Sequence, residues 1–105
     1  MLVLGASTSK SLNINNGEAG VLESAYNLAG ARSVGVFSIR DSSSDVICLI
    51  AANGGNIVDI LSKYYTVTTN VKDTAGHVNF YVEGGTLYCQ NLSGKNKVFM
   101  YQRLI

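Results

Sequence analysis

Hydrophobic and polar residues alternate with a period of two along most of the chain, which is typical of half-buried β-strands. Leu12 and Ile14 alternate with polar neighbours, and residues 64–71 alternate over their whole length. Further strands are predicted at residues 33–40, 46–52, 57–61, 78–82, 86–91 and 98–104. About eight short strands at this spacing predict an all-β sandwich or barrel, and we expect an antiparallel β-sandwich of jelly-roll-like form.

Glycine and asparagine mark the turns between these strands. Residues 15–17 tolerate positive φ and predict a turn after the first strand. Two glycine pairs, at 54–55 and 84–85, each separate two apolar runs, which is a strong hairpin signal. Residues 41–45 are predicted as a polar loop, and residues 93–96 as the turn before the last strand.

Two segments allow more than one interpretation. Apolar residues recur at helical spacing within residues 21–29, but Gly20 and Gly30 bracket this short segment. We expect a strand or an irregular loop there, with a short helix as the alternative. Apolar residues also change face between Val36 and Phe37, which predicts a bulge in that strand or burial on both of its sides.

Residues 46–52 are apolar at every position, so this strand has no polar face. An antiparallel sheet usually keeps one face in water, and alternation results. Within one sandwich the opposite sheet covers only one side of the strand. The other side is therefore expected to face another subunit or to be shielded by a local loop, for which residues 21–29 are the candidate.

Length and hydrophobicity predict one globular domain over residues 1–105, with residues 1–8 as a lead-in segment. The 105 residues are 47% hydrophobic, which suffices for one core. The longest apolar run, residues 46–52, is far shorter than the ~20 residues of a membrane helix. The N-terminus also lacks the basic-then-apolar pattern of a signal peptide. We therefore expect no membrane insertion.

Charge is scarce in this chain. Charged residues make up 14% and the net charge is +1, which argues against nucleic-acid binding because that function needs dense basic patches. Residues 78–82 have the aromatic character of base-stacking strands but lack basic neighbours. A weakly charged surface suits a chain packed against copies of itself or displayed on a larger particle, and a secreted domain with a neutral surface is the alternative.

The chemistry-bearing residues do not form a recognisable catalytic or metal-binding motif. Cys48 and Cys89 lie in apolar segments without a CxxC pattern, so buried free thiols are expected, with one disulfide as the alternative. The loop at 41–45 lacks the glycine and the distant glutamate of a calcium loop. His77 is the only histidine and is placed in a turn beside Gly76, where an exposed loop histidine is expected. We expect no metal, no cofactor and no enzymatic activity.

Tyrosine and asparagine point to surface recognition. Six tyrosines and ten asparagines in a charge-poor sandwich suit sugar binding, because flat rings cover apolar sugar faces while amides bind hydroxyls. Alternation places Tyr64 on one face with Thr66, Thr68 and Asn70. These four residues and His77 are the predicted receptor-binding residues.

Three stretches resemble the C-terminal domain of bacteriophage tail-fibre or receptor-binding proteins. They are Ser-Val-Gly-Val-Phe-Ser-Ile-Arg-Asp at 33–41, Asn-Gly-Gly-Asn-Ile at 53–57, and Thr-Ala-Gly-His-Val-Asn-Phe-Tyr-Val-Glu-Gly-Gly-Thr-Leu-Tyr-Cys-Gln-Asn at 74–91. The likeness covers residues 33–105. It implies a homotrimer of β-sandwich heads at the tip of a fibre, in a virion assembled in the host cytoplasm. No fibrous shaft repeat is present, so this chain corresponds to the head alone.

The expected function is therefore non-enzymatic adhesion, in which the trimeric tip binds a host cell-surface glycan or protein. Three weak sites on one tip would multiply affinity without new contacts. A stand-alone carbohydrate-binding module and a structural virion component without receptor activity are the alternatives.

Overall fold

The computed structural model describes residues 10–23, 34–41, 46–53, 57–63 and 67–104. In chain order, these residues form the strands β1 (Lys10–Ile14), β2 (Glu18–Glu23), β3 (Val34–Asp41), β4 (Val46–Asn53), β5 (Ile57–Lys63), β6 (Val67–Thr69), β7 (Val78–Glu83), β8 (Thr86–Asn91) and β9 (Lys97–Arg103). The all-β prediction is confirmed, with nine strands in the described residues where about eight were expected. The predicted lead-in, residues 1–8, lies outside the described residues.

The strands form two sheets that pack around one core, which confirms the β-sandwich. Sheet A has the order β1-β9-β3-β4-β5, and sheet B has the order β2-β8-β7-β6. The core lies between the sheets and includes three fully buried phenylalanines, Phe37 from β3, Phe80 from β7 and Phe99 from β9. Because Phe80 is part of this core, its ring is not available to stack on a base.

The first and last strands of the chain pair as in a jelly roll. β1 pairs with β9, and β2 pairs with β8, both in the antiparallel direction. The chain crosses between the sheets at residues 15–17 and again at 92–96. The backbone N–H of Gly17 donates to the carbonyl of Asn91 at 2.7 Å, so both crossings lie at one end of the sandwich, the Asn91 end. β3, β4 and β5 form an antiparallel meander, which departs from a full jelly roll.

β6 is shorter than the alternating segment predicted, and it runs parallel to β7. Residues 64–66 lie outside the described residues, and only Val67–Thr69 is strand after them. Asn70 has a φ of +66°, which ends the extended backbone. Val71 is consequently 48% exposed, whereas alternation placed it on the buried face. The β6–β7 pair is parallel, whereas every other pair of the described strands is antiparallel, in keeping with the antiparallel sandwich that was predicted.

The predicted irregularity near β3 lies in its neighbour β4. Ile39 is opposite Cys48, but Arg40 is opposite Val46, which leaves Ile47 as an extra residue on β4. β3 itself alternates regularly between buried and half-buried positions from 35 to 39. The bulge is therefore absent from β3, where it was expected, and lies in β4 instead. The apolar residues of β3 do change face, since Val36 points outward and Phe37 points into the core, but the alternation of the strand is unbroken.

β4 buries one of its faces completely. Cys48, Ile50 and Ala52 are fully buried, whereas Leu49 and Ala51 are half-buried on the outer face of sheet A. The expected shielding loop at residues 21–29 is a strand as far as Glu23, within sheet B, and residues 24–29 lie outside the described residues. The described part of that segment therefore does not cover the outer face of sheet A.

The two cysteines are free thiols buried in the core, as expected. Cys48 belongs to sheet A and Cys89 to sheet B. Burial raises the pKa of the Cys48 thiol to about 12, and burial together with the nearby Cys48 raises the pKa of Cys89 well above its ordinary value. Both thiols are therefore protonated at neutral pH, the form with little nucleophilic reactivity.

Candidate functional site

The outer face of sheet B carries the largest group of interacting polar and aromatic side chains among the described residues. It consists of the side chains that alternate with the core residues of β2, β8, β7 and β6. The loop at residues 70–77 joins β6 to β7 and contacts this face. The face has two parts, an apolar ledge and a polar platform under the loop.

The ledge is formed by two stacked tyrosines and a neighbouring valine. Tyr81 on β7 lies directly opposite Tyr88 on β8, with ring centres 5.3 Å apart and planes inclined by 21°. Val21 lies opposite Tyr88 on β2 and is 47% exposed. We call these three residues the tyrosine ledge. Such a surface suits the apolar face of a sugar ring, since the tyrosine hydroxyls remain available for hydrogen bonds.

A charged pair borders the ledge. The ammonium of Lys72 lies 2.7 Å from the carboxylate of Glu83 and 5.9 Å from the centre of the Tyr81 ring. Hydrogen bonding to Glu83 raises the pKa of Lys72, and burial raises the pKa of Tyr81. The border therefore presents an ammonium and, at neutral pH, a protonated phenol beside the Glu83 side chain, which are the donors and acceptors that hydroxyl groups need.

The polar platform fixes the loop 70–77 against the sheet. The backbone N–H of Asp73 donates to Oε1 of Gln90 at 2.7 Å, and Nε2 of Gln90 donates back to Oδ1 of Asp73 at 2.8 Å. Nδ2 of Asn79 donates to Oε1 of Gln90 and to the carbonyl of Thr74, both at 3.2 Å. These bonds satisfy amide groups that the loop would otherwise bury unpaired. Oδ1 of Asn79 is the one buried side-chain oxygen or nitrogen of the described residues that has no partner.

The structure brings two of the predicted site residues together at the edge of this platform. Oγ1 of Thr68 and Nδ1 of His77 share a hydrogen bond of 2.6 Å. His77 is half-buried, where an exposed loop histidine was expected. Its backbone carbonyl accepts the N–H of Leu92, so the end of the loop is also tied to the chain beyond β8.

The remaining predicted site residues are Asn70, Tyr64 and Thr66. Asn70 is exposed at the bend that ends β6, and its backbone N–H donates to the carbonyl of Phe80 at 2.9 Å. It has left the strand, so it does not continue the face of Thr68. Tyr64 and Thr66 lie outside the described residues.

The tyrosine ledge was missed, although the sequence contained its signal. A two-residue turn at Gly84-Gly85 pairs Glu83 with Thr86, and that register alone places Tyr81 opposite Tyr88. Both tyrosines then lie on the face opposite the core residue Phe80. The glycines thus predict the ring pair, whereas the polar network of Gln90 and Asp73 depends on a loop path that local pattern does not encode.

A cavity of about 260 Å³ opens at the Asn91 end, between the two sheets. Its walls include the apolar side chains of Ile47, Val67 and Val78 and the polar residues Asp41, Ser93, Lys95 and Lys97. Nζ of Lys97 lies 3.5 Å from Oδ2 of Asp41. The loop 70–77 reaches this cavity at Gly76, so the platform and the cavity are neighbours.

Among the residues that the structure describes, no cluster of three or more histidine, cysteine, aspartate or glutamate side chains is placed to hold a metal ion. In the same part of the chain, no helix has the length and apolar character needed to span a membrane. Comparisons with protein-family models, curated proteins and solved structures found no match to this chain.

Proposed function

We propose that this chain is a non-enzymatic adhesion domain, the head of a trimeric bacteriophage tail fibre, which binds a glycan on the host cell surface through the outer face of sheet B. The observation that carries the proposal is the tyrosine ledge beside a polar platform. The sequence resemblance to fibre-tip domains supports the viral context, and the β-sandwich is the fold which that resemblance implies.

The ledge favours a glycan over a protein as the receptor. The stacked rings of Tyr81 and Tyr88 offer a narrow apolar strip, and Lys72 and Glu83 offer paired donors and acceptors at its border. A sugar ring has an apolar face and peripheral hydroxyls, so its chemistry matches this strip and border. The strip is short for a protein interface, which usually buries a broader apolar centre.

The outer face of sheet A is the proposed contact between copies of the chain. Its outward positions on the described parts of β9, β3 and β4 include only one charged residue, Arg40. The apolar residues at those positions include Val36, Leu49, Ala51, Val98 and Met100. A face with this composition suits association with an identical face or edge of another copy.

Substitution of Tyr88 tests the proposed receptor contact. We expect Tyr88→Ala to weaken binding to a printed array of bacterial surface polysaccharides by about tenfold, because the loss of one ring removes its stacking energy. Tyr88→Phe keeps the ring and should retain most of the binding. The readout is the concentration of labelled protein that gives half-maximal signal on each positive spot.

Two results would contradict the proposed contact. Undiminished array binding by Tyr88→Ala would place the receptor site elsewhere on the molecule. Absence of any positive spot, together with a failure to block phage adsorption, would favour a structural virion component. A monomer that binds with the expected dependence on Tyr88 would instead favour a stand-alone carbohydrate-binding module.

A further inference from the structure

The cavity at the Asn91 end has a binding chemistry that the tyrosine ledge does not use. Its described charged lining residues are Asp41, Lys95 and Lys97, which leaves one positive charge in excess. Asp41 and Lys97 face each other at 3.5 Å. Lys95 is exposed, and no carboxylate of the described residues pairs with it. Among the described charged residues that line the cavity, Lys95 is therefore the one without an ion-pair partner.

The rim that carries Lys95 is held in place by a buried amide. Asn91 is fully buried, and its Nδ2 donates to the carbonyl of Lys95 at 2.7 Å and to that of Ile14 at 2.8 Å. Its Oδ1 accepts the N–H and the hydroxyl of Ser93, at 3.1 and 2.6 Å. A turn fixed in this way loses little backbone freedom when a ligand binds, which favours binding.

Part of the cavity wall is apolar, and the volume of the cavity is small. Ile47, Val67 and Val78 are all buried core residues whose side chains reach the cavity. Because one water occupies about 30 Å³ of liquid, a cavity of about 260 Å³ has room for one sugar ring but lies below the ~300 Å³ at which pockets for larger ligands begin. These features suit a small ligand with an apolar side and an anionic group.

We propose that this cavity binds a single acidic sugar residue, with its carboxylate on Lys95 and its apolar side against Ile47, Val67 and Val78. The charge, the apolar part of the wall and the volume suit a small anion with an apolar side. The choice of a sugar carboxylate among such anions rests on the proposed glycan-binding function. The site lies at the end of the sandwich and is separate from the tyrosine ledge, so each site can be tested without the other.

Titration of the ¹⁵N-labelled chain at physiological salt tests the cavity directly. The probes are sodium glucuronate and N-acetylneuraminate, the methyl ester of each, and cyclohexanecarboxylate. We expect saturable shifts of the Gly76, Ser93 and Lys95 amides with both acidic sugars. The methyl esters should bind roughly tenfold more weakly, because a hydrogen bond to a charged partner is lost.

Two variants supply the controls. Lys95→Gln should weaken the acidic sugars roughly tenfold, whereas Lys10→Gln removes the same charge from an exposed strand position and should leave their affinity unchanged. Tyr88→Ala should also leave the cavity titration unchanged, which separates this site from the ledge.

Each alternative outcome overturns part of the proposal. Equal binding of the acids and their esters, or no saturable shift at these amides, would refute a carboxylate site. Binding of cyclohexanecarboxylate without either sugar acid would retain the carboxylate site and refute the sugar. Loss of cavity binding in Tyr88→Ala would show that the cavity and the tyrosine ledge are not separate sites.

Discussion

Asn91 stabilises more of the surrounding backbone than its size suggests. One buried side chain bonds to β1 at Ile14 and to the turn at Ser93 and Lys95. The neighbouring turn is linked in the same way, because Oδ1 of Asn16 accepts the N–H of Gly94 at 2.8 Å. At this end of the sandwich, polar side chains therefore replace the ladder bonds that the two crossing chains lack.

Removal of the Asn91 side chain should destabilise the fold. We expect Asn91→Ala to lower the free energy of unfolding by roughly 3 kcal/mol, because several buried backbone groups lose their partner. Urea denaturation measures the change. Asn13→Ala, at an exposed position of β1, is the matched control and should change stability by less than about 0.5 kcal/mol. Equal effects of the two substitutions would contradict the role of Asn91.

The buried thiols predict a loss of stability at alkaline pH. The pKa of Cys48 is about 12 in the fold against 9.0 for a free thiol, so the native state keeps a proton that the unfolded chain releases. Titration of Cys48 therefore leaves the free energy of unfolding unchanged below about pH 9. Between pH 9 and 12 it lowers that free energy by at most about 1.4 kcal/mol per pH unit.

The double variant Cys48→Ala, Cys89→Ala tests this pH dependence. It should reduce the slope of unfolding free energy against pH above 9, whatever its effect on stability at pH 7. The raised pKa values of Tyr81 and Tyr101 leave a smaller slope of the same sign. An unchanged slope would show that the thiols titrate alike in both states.

At the scale of elements, the β7–β8 hairpin connects turn chemistry to the candidate site. Gly84 and Gly85 have φ values of +57° and +78°, which are the left-handed values of a type I′ turn. The turn fixes the register in which Tyr81 meets Tyr88. A change at the turn is therefore expected to affect the ledge as well as stability.

Gly84→Val should cost roughly 1–2 kcal/mol of stability, because a β-branched residue is strained at positive φ. A steric clash is not the cause of this loss, since a Cβ at Gly84 meets no atom within 4 Å. Gly84→Asn should fold with little loss, because asparagine tolerates this conformation. The measurements are urea denaturation and the cross-strand NOE between the Tyr81 and Tyr88 rings. Equal stability of the two variants would exclude backbone strain as the cause.

Elements set by local chemistry could be predicted from the sequence, and those set by distant contacts could not. The turn at Gly84-Gly85 and the strand at residues 86–91 follow from glycine pairs and alternation. The early end of β6 depends on the bend at Asn70, which forms where the chain bonds to Phe80 on β7. The alternating pattern of residues 64–71 does not encode that contact.

The candidate site was only partly predictable for the same reason. Thr68 was predicted as a site residue because alternation placed it on the face of Tyr64, and His77 because of its side-chain chemistry. The two residues meet because β6 and β7 pair in parallel. The link between Asp73 and Gln90 depends on a loop folding back onto a neighbouring strand. Pairing across such a loop is a property of the tertiary fold and leaves no periodic signal.

At the scale of the whole molecule, the two outer faces differ in chemistry. Sheet B presents rings, charges and a polar network, whereas the outward positions on the described parts of β3, β4 and β9 are mostly apolar or uncharged. This difference separates the proposed receptor contact from the proposed contact between copies. Assembly and binding should therefore respond to different substitutions.

Leu49→Lys tests the proposed contact between copies. Leu49 is half-buried on the outer face of sheet A, so a lysine there stays near solvent in the single chain but places charge in the proposed interface. We expect light scattering to give a trimer for the wild type and a monomer for Leu49→Lys. A wild-type monomer at every concentration would contradict the trimer.

The antiparallel pairing of β1 with β9 also determines which end of the sandwich would be attached to a carrier. Lys10 lies opposite Tyr101, whereas Ile14 lies opposite Lys97 beside the cavity. The described chain thus enters and leaves at the pole opposite the Asn91 end. A carrier attached where the described chain begins, at Lys10, or ends, at Leu104, would therefore lie at that pole, and the cavity would face away from it.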